Sequence, residues 1–273
     1  MKVIARFTLR EALRRKVFTV VAWLTASFLV LYGLAVWQAF RIDDFTGETI
    51  IGATMFGLAM FGILFLGVVL AVFLTLGAIR GDAERGLLQP LLVRPVSRKD
   101  VLLARLLAAG GVSAAYVLAV YLGAMIITGV IGGWWPGNPV LPALALMLGV
   151  VIITAISLGG SVVLASTANG IAVFMAFGAG LTAGLLGQIG DALGAKTLST
   201  VADVSSYLLP FEALYQLALA ELTAGATGVD RFVLQLGPLG GAQDAGIGLW
   251  LWSLVYLAGV IALSLAAFKR ADL

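Results

Sequence analysis

A stretch of 85 residues, from Leu106 to Gly190, contains no Asp, Glu, Lys or Arg. A helix that crosses about 30 Å of hydrocarbon needs roughly 20 consecutive apolar residues, so this stretch is long enough for three membrane spans. In the whole chain 61% of the residues are hydrophobic and 11% are charged, whereas a typical soluble domain has about 25% charged residues. The sequence therefore predicts a membrane protein and excludes a soluble fold.

The apolar runs predict an all-α polytopic fold, with one transmembrane domain over residues 1–273 and six spanning helices. The first run is longer than the roughly 7 to 15 apolar residues of a signal-peptide core, so we interpret it as a retained span. Residues 167–170 are expected to connect the fourth and fifth spans. The predicted spans are residues 17–40, 50–79, 106–131, 141–166, 171–190 and 246–268.

Two segments outside the spans have helical patterns. Residues 1–16 carry six basic residues and one acid, which predicts an interfacial helix or, alternatively, a basic tail that fixes topology. Residues 191–245 form one large loop, in which apolar residues follow Pro210 at helical spacing. That helix is expected to lie on the membrane surface or to pack back into the protein. Its apolar positions are Phe211, Leu214, Tyr215, Ala218, Leu219 and Leu222.

The basic residues are distributed unevenly between the two sides of the predicted bundle. The N-terminal segment, residues 80–105 and the C-terminus hold 14 of the 17 Lys and Arg residues. By the positive-inside rule this side is cytoplasmic, and both termini are predicted there. The same rule explains the net charge of +3 without a nucleic-acid surface. We expect a multi-pass protein of a bacterial or archaeal plasma membrane, in contact with lipid.

The residue types limit the chemistry of the chain. It has no Cys and no His, which excludes disulfides, thiolate metal sites and imidazole bases. The predicted spans contain no ionisable residue, which argues against a carboxylate proton relay. Thr75, Ser157 and Ser161 have no neighbouring base, so their hydroxyls are expected to bond to their own helix backbones. A GxxxxGK[ST] phosphate loop is also missing, and we expect no enzymatic activity, metal or cofactor on this chain.

The charged segment at residues 80–105 contains an apolar patch. Leu87, Leu88 and Leu91 lie between flanking charges, with Leu92 and Val93 beside them. Leucines provide buried area and the charges provide register when a short helix docks on another protein. We therefore predict a docking site for a cytoplasmic partner. The alternative is a solvated loop that folds back on the bilayer.

The fifth predicted span is rich in glycine, with Gly178, Gly180, Gly184 and Gly187. Gly180 and Gly184 form a small-xxx-small pair, which lets two helix backbones approach closely. One explanation of this pattern is ordinary packing within one protomer. It is explained equally by a contact along a dimer axis, or by a wall whose packing changes as a pathway opens.

One motif resembles a known family. The order Gly-x-x-Glu-x-Gly, then Leu-Leu, then Arg-Pro-Val-Ser-Arg is similar to ABC-2 type transporter permeases. A basic helix before the first span, six spans and a large external loop before the last span are also similar to that family. The residues that carry the motif are Gly81, Glu84, Gly86, Leu87, Leu88 and residues 94–98.

The resemblance implies a permease that forms a homodimer or a heterodimer and binds two copies of a separate ABC ATPase, which carries ATP and Mg²⁺. It places a coupling helix at about residues 83–93, although Pro90 removes a backbone donor there. It also implies a substrate route between protomers, near the second and fifth spans. The predicted ATPase-coupling residues are Gly81, Glu84, Gly86, Leu87, Leu88, Leu91 and Arg98.

The expected function is export of a hydrophobic, lipid-like or peptide substrate across the plasma membrane, because the uncharged spans suit such cargo. One alternative is a permease that serves maturation of the copper site of a periplasmic metalloenzyme. The absence of Cys and His disfavours direct copper transfer by this chain. Another alternative is a membrane scaffold or sensor that recruits a partner without transport.

The distribution of basic residues gives a labelling test of topology. A cysteine in place of Gly137 is expected to react with a membrane-impermeant thiol reagent added outside the cell, because it follows the third span. A cysteine in place of Ser97 is expected to react only after the membrane is permeabilised. Labelling of position 97 from outside the cell would show that the orientation is opposite to the predicted one.

Overall fold

The computed structural model describes residues 16–42, 47–76, 78–79, 98–223 and 246–270. These residues form eight helices and no strand, which confirms the all-α fold. Six helices are long and apolar enough to span a membrane, and α6 and α7 are the exceptions. The interfacial helix predicted for residues 1–16 lies outside the described residues, apart from Lys16. The helices are α1 Lys16–Ile42, α2 Glu48–Thr75, α3 Arg98–Gly132, α4 Val140–Val163, α5 Ser166–Leu193, α6 Lys196–Leu208, α7 Pro210–Thr223 and α8 Gly246–Arg270.

Two helix ends differ from the hydropathy pattern. Helix α3 begins at Arg98, eight residues before the apolar run, because charged residues extend a helix beyond the membrane as well as apolar ones do. The turn between α4 and α5 lies at Leu164 and Ala165, so the connection expected at residues 167–170 is helical instead. The backbone amide of Asn169 donates to the Ala165 carbonyl at 2.9 Å in the first turn of α5. This turn carries no charge, and hydropathy alone does not locate it.

Helices α2 and α4 form the centre of the bundle. In the apolar stretch of α2, 67% of the residues are buried, compared with 17% in α1 and 17% in α8. Helix α2 is apolar around its whole circumference, as expected of a helix surrounded by other helices. Helices α1 and α8 instead present apolar side chains outward, as lipid-facing helices do. The largest buried side chains of the centre are Phe56, Met60, Ile63, Leu64, Tyr121, Leu146, Ile152 and Ile153.

Close packing and a few hydrogen bonds hold the spanning helices together. Lipid tails are as apolar as the helices, so association depends on van der Waals contact and interhelical hydrogen bonds. Gly67 of α2 lies directly against valine side chains of α3 and α4, where a Cβ atom would collide with them. Helix α1 is joined to α3 by hydrogen bonds between the hydroxyl groups of Tyr32 and Thr128 and of Thr25 and Tyr116.

The two ends of the bundle differ in charge. Lys99, Lys269 and Arg270 lie around one surface cavity, and we call this the basic end. Ile79, Leu102 and Phe268 are buried together in a small apolar cluster near it. The opposite end carries α6 and α7, and we call it the hairpin end.

Candidate functional site

Helices α6 and α7 form a hairpin that enters the bundle. Phe211, at the start of α7, contacts Gly149 of α4 and Gly180 of α5, and its ring stacks on Phe177 at 5.7 Å. At 1.5 Å per residue, these glycines lie roughly 14 and 20 Å from the hairpin-end termini of their helices. The tip of the hairpin therefore packs roughly halfway along α4 and α5, two helices long enough to cross a hydrocarbon core of about 30 Å. The helix predicted after Pro210 is present and packs back into the protein.

The chain turns into the hairpin through a glycine cap. Gly194 follows the last residue of α5 with φ of +64°, a left-handed conformation that glycine adopts without steric cost. The amide of Ala195 donates to the Gly190 carbonyl at 2.8 Å, which is the bonding pattern of a Schellman cap. This cap reverses the chain and lays α6 along α5.

The tip of the hairpin leaves few backbone donors unsatisfied. The Leu209 amide donates to the Ser205 carbonyl at 2.8 Å, and the Glu212 amide donates to the Leu209 carbonyl at 3.1 Å. Pro210 has no amide hydrogen and its fixed φ suits the first position of α7. Non-helical backbone at membrane depth is tolerated only where protein surrounds it, and Pro210 and Phe211 are buried.

A row of glycines on α5 accommodates the hairpin. A Cβ atom on Gly180 would press on the Phe211 ring, one on Gly184 would collide with the Glu212 carboxylate, and one on Gly187 would meet the Ala202 methyl. The spacing of four and then three residues puts these three glycines on one face of α5. Gly178 is off this face and has no atom within 4 Å of its Cβ position. The glycine-rich sequence thus serves packing within one protomer at three positions.

A cavity of about 580 Å³ lies between the hairpin and the hairpin-end halves of α5 and α8. Trp252 of α8 forms one wall; its indole N–H donates to the Tyr207 carbonyl at 3.1 Å and its ring meets the Tyr207 ring edge to face at 6.0 Å. Cavities of 300 to 1,000 Å³ are the usual size of small-molecule sites. The other lining residues are Gly184, Gly187, Gln188, Ala202, Asp203, Ser206, Glu212, Ala213, Gln216, Gly248 and Leu249.

Glu212 is the buried acid of this cavity, with 5% of its surface exposed. The Gln216 amide nitrogen donates to its Oε1 atom at 2.9 Å. The Gln216 side-chain oxygen is buried without a hydrogen-bond partner within the described ranges. Burial raises the pKa of Glu212 above its ordinary value of 4.5, and the hydrogen bond from Gln216 opposes this shift only in part. Glu221, on the same helix, instead accepts a hydrogen bond from Asn138 at 3.0 Å.

A polar cluster joins three helices towards the basic end. The Thr75 hydroxyl donates a hydrogen bond to the Ser157 hydroxyl at 2.6 Å. The side-chain amide of Asn169 donates to the backbone carbonyl of Ser157 at 2.9 Å. All three side chains are buried. Thr75 and Ser161 also bond to backbone carbonyls of their own helices, as predicted, whereas Ser157 bonds across helices. The cluster ties the end of α2, from which the chain enters residues 80–97, to α4 and α5.

A family model described as ABC-2 family transporter protein matches residues 3–273. The chain belongs to this family. It is therefore a membrane permease of an ABC transporter, a transport component that is not itself the catalytic subunit. Permeases of this family work with an ABC ATPase. A search of curated proteins finds no match to the chain.

The structure separates the predicted site residues of the permease into two groups. The first, the ATPase-coupling residues Gly81, Glu84, Gly86, Leu87, Leu88 and Leu91, lies outside the described residues, and Arg98 is the first residue of α3. The second group consists of Gly178, Gly180, Gly184 and Gly187, which all lie on α5. The last three of these face the hairpin and Gly178 does not.

The sequence did not predict a role for Glu212, because the helical pattern after Pro210 defines an apolar face and Glu212 is not one of its positions. One signal was present in the sequence. Glu212 and Gln216 are four residues apart, a spacing that places two polar side chains together on a helix. The proximity of Gly184, 28 positions earlier, depends on how α5 and the hairpin pack, and no local pattern indicates it.

The burial of Glu212 predicts an effect of pH on stability. The folded state holds this proton more tightly than the unfolded state, so the wild-type permease loses stability as the pH rises above about 4.5 and through the raised pKa. Glu212→Gln removes this loss and keeps a partner for Gln216. In detergent, the Tm of the variant is expected to exceed that of the wild type by about 2 to 4 °C at neutral pH, and by less near pH 4.5.

The matched control is Glu221→Gln on the same helix, whose gain in Tm at neutral pH is expected to be smaller than that of Glu212→Gln, because Glu221 is only half-buried and lies outside the cavity. A difference for Glu212→Gln that stays constant with pH, or that grows towards acid, would contradict the burial argument.

Proposed function

We propose that this permease is the transmembrane subunit of an exporter driven by two copies of a separate ABC ATPase, which bind at residues 80–97. The basic end is then cytoplasmic. ATP and Mg²⁺ are bound by the ATPase, and the permease moves a hydrophobic, lipid-like or peptide substrate outward. The supporting observation is the position of α5, which carries Asn169 of the polar cluster at one end and Gly184, against Glu212, near the other.

Coupling in this proposal is mechanical. Residues 80–97 belong to the connection between α2, which ends at Thr75, and α3, which begins at Arg98. Thr75 bonds to Ser157. A displacement of this segment by the ATPase is therefore transmitted through the hydrogen-bonded cluster to α4 and α5. Closure of the ATPase on ATP shifts the population of the two permease arrangements, provided that it binds one of them more tightly than the other.

The docking surface is tested by charge substitution. In the proposed contact, the patch of Leu87, Leu88 and Leu91 is buried against the ATPase, at about 1.5 to 3 kcal/mol per leucine, and Glu84 pairs with a basic residue there. The double substitution Leu87→Asp and Leu88→Asp is expected to leave the permease inserted and folded, and to abolish co-purification of the ATPase and substrate-stimulated ATP hydrolysis.

Leu193→Asp is the control, because this leucine is 73% exposed at the opposite end of the bundle. This variant is expected to retain the ATPase. If the double variant still binds the ATPase with unchanged affinity and supports transport, the segment is not the coupling element.

We place the dimer axis along the face of α5 that the hairpin leaves uncovered. Met175 is 69% exposed and Leu185 is 58% exposed on this face, and Gly178 and Thr182 lie between them. Gly178 and Thr182 form a small-xxx-small pair of the kind that permits close helix contact. The substrate route of the proposed exporter runs beside this contact, between two protomers.

Cysteine cross-linking tests this placement. Cysteines at positions 175 and 178 are expected to give cross-linked homodimers, or heterodimers when a second permease is co-expressed. Val130 of α3 is 74% exposed, and a cysteine there is the control that is expected to remain monomeric. Cross-links from position 130 and none from α5 would move the axis away from α5.

A further inference from the structure

The cavity beside the hairpin has a charge imbalance. Among the described residues that line it, the charged ones are two acids, Glu212 and Asp203. Asp203 is exposed on α6, whereas Glu212 is 5% exposed. Within the described ranges, the hydrogen bond from Gln216 is the one polar contact of the Glu212 side chain. A carboxylate that is buried with a single neutral donor is costly to ionise unless a cation approaches it.

The wall of the cavity suits an organic cation. The Trp252 ring lies against the Tyr207 ring, and Leu249 adds apolar surface. Indole and phenol faces attract cations, and they also pack against apolar groups. Gly184, Gly187 and Gly248 contribute no side chain, which leaves the volume of about 580 Å³ open. The cavity therefore combines one buried negative group, aromatic surface and space for a small molecule.

We propose that this cavity binds a monovalent amphiphilic cation, whose charge pairs with the Glu212 carboxylate and whose apolar body packs against Trp252 and Tyr207. The cavity lies on the face of α5 that packs against the hairpin, away from the substrate route proposed between the protomers, so the proposal assigns a ligand site and not the transported substrate. The binding step itself does not depend on transport. An anionic ligand would meet two acids and no base among the described lining residues, so the cavity selects against it.

The binding test uses purified permease in nanodiscs of neutral phosphatidylcholine, without the ATPase. The probe is radiolabelled tetraphenylphosphonium, and binding to empty nanodiscs is subtracted. We expect saturable binding to the wild type. Tetraphenylborate has the same shape and the opposite charge, and it is expected to show no saturable binding. Equal saturable binding of the anion would overturn the proposal.

Two substitutions locate the site. Glu212→Gln is expected to weaken tetraphenylphosphonium binding about tenfold or more, since it removes the opposite charge. Trp252→Leu is expected to weaken binding about threefold or more, through loss of the aromatic wall. Glu221→Gln is the matched control on the same helix and is expected to bind as the wild type does. Binding is measured below the Tm of every variant, so loss of folding does not imitate loss of the site.

Wild-type affinity in either Glu212→Gln or Trp252→Leu would overturn the assignment of the site. The result is separable from the proposed function. A permease that binds the cation but fails to recruit the ATPase contradicts the exporter proposal and leaves the cation site intact. A permease that recruits the ATPase but shows no saturable cation binding contradicts the cation site and leaves the exporter proposal intact.

Discussion

Close approach at the glycines of α5 determines how the rest of the molecule is arranged at the hairpin end. In hydrocarbon, a helix gains nothing by hiding apolar side chains from its equally apolar surroundings, so contact at small residues and shared hydrogen bonds decide which helices pack. Gly180, Gly184 and Gly187 admit the hairpin to within contact of the α5 backbone. Because the hairpin enters there, a carboxylate and an aromatic wall come together beside α5, whose residues 166–190 include no Asp, Glu, Lys or Arg.

The helical content and the number of spans were predictable because both depend on local properties of the chain. A charge-free run of sufficient length has few stable alternatives in a bilayer, since every backbone donor and acceptor must be satisfied within the segment. The apolar spacing after Pro210 likewise predicted α7, which begins at that residue. The turn at Leu164 and Ala165 was placed a few residues too late, because hydropathy does not change across it.

The position of α7 was not predictable by the same reasoning. An amphipathic helix buries one apolar face equally well on a membrane surface or against other helices. Phe211 fits against Gly149 and Gly180, from helices that are separate in the sequence, and this fit decides between the two locations. The role of the α5 glycines was ambiguous for the same reason, since a small-xxx-small pair specifies a close contact and not the partner.

The burial of Glu212 costs free energy, and this cost links the packing of the hairpin to a function. An ionisable group at membrane depth is expensive and is retained mainly where it serves a purpose. Gly184 of α5 lies against the Glu212 carboxylate, Gln216 of α7 donates a hydrogen bond to it, and Trp252 of α8 lines the same cavity. Helix α5 also carries Asn169, which bonds to Ser157 of the polar cluster. A displacement of the polar cluster would therefore move α5. If this movement separated Gly184 from Glu212, it would change the solvation of the carboxylate and thereby the affinity of the cavity for a cation.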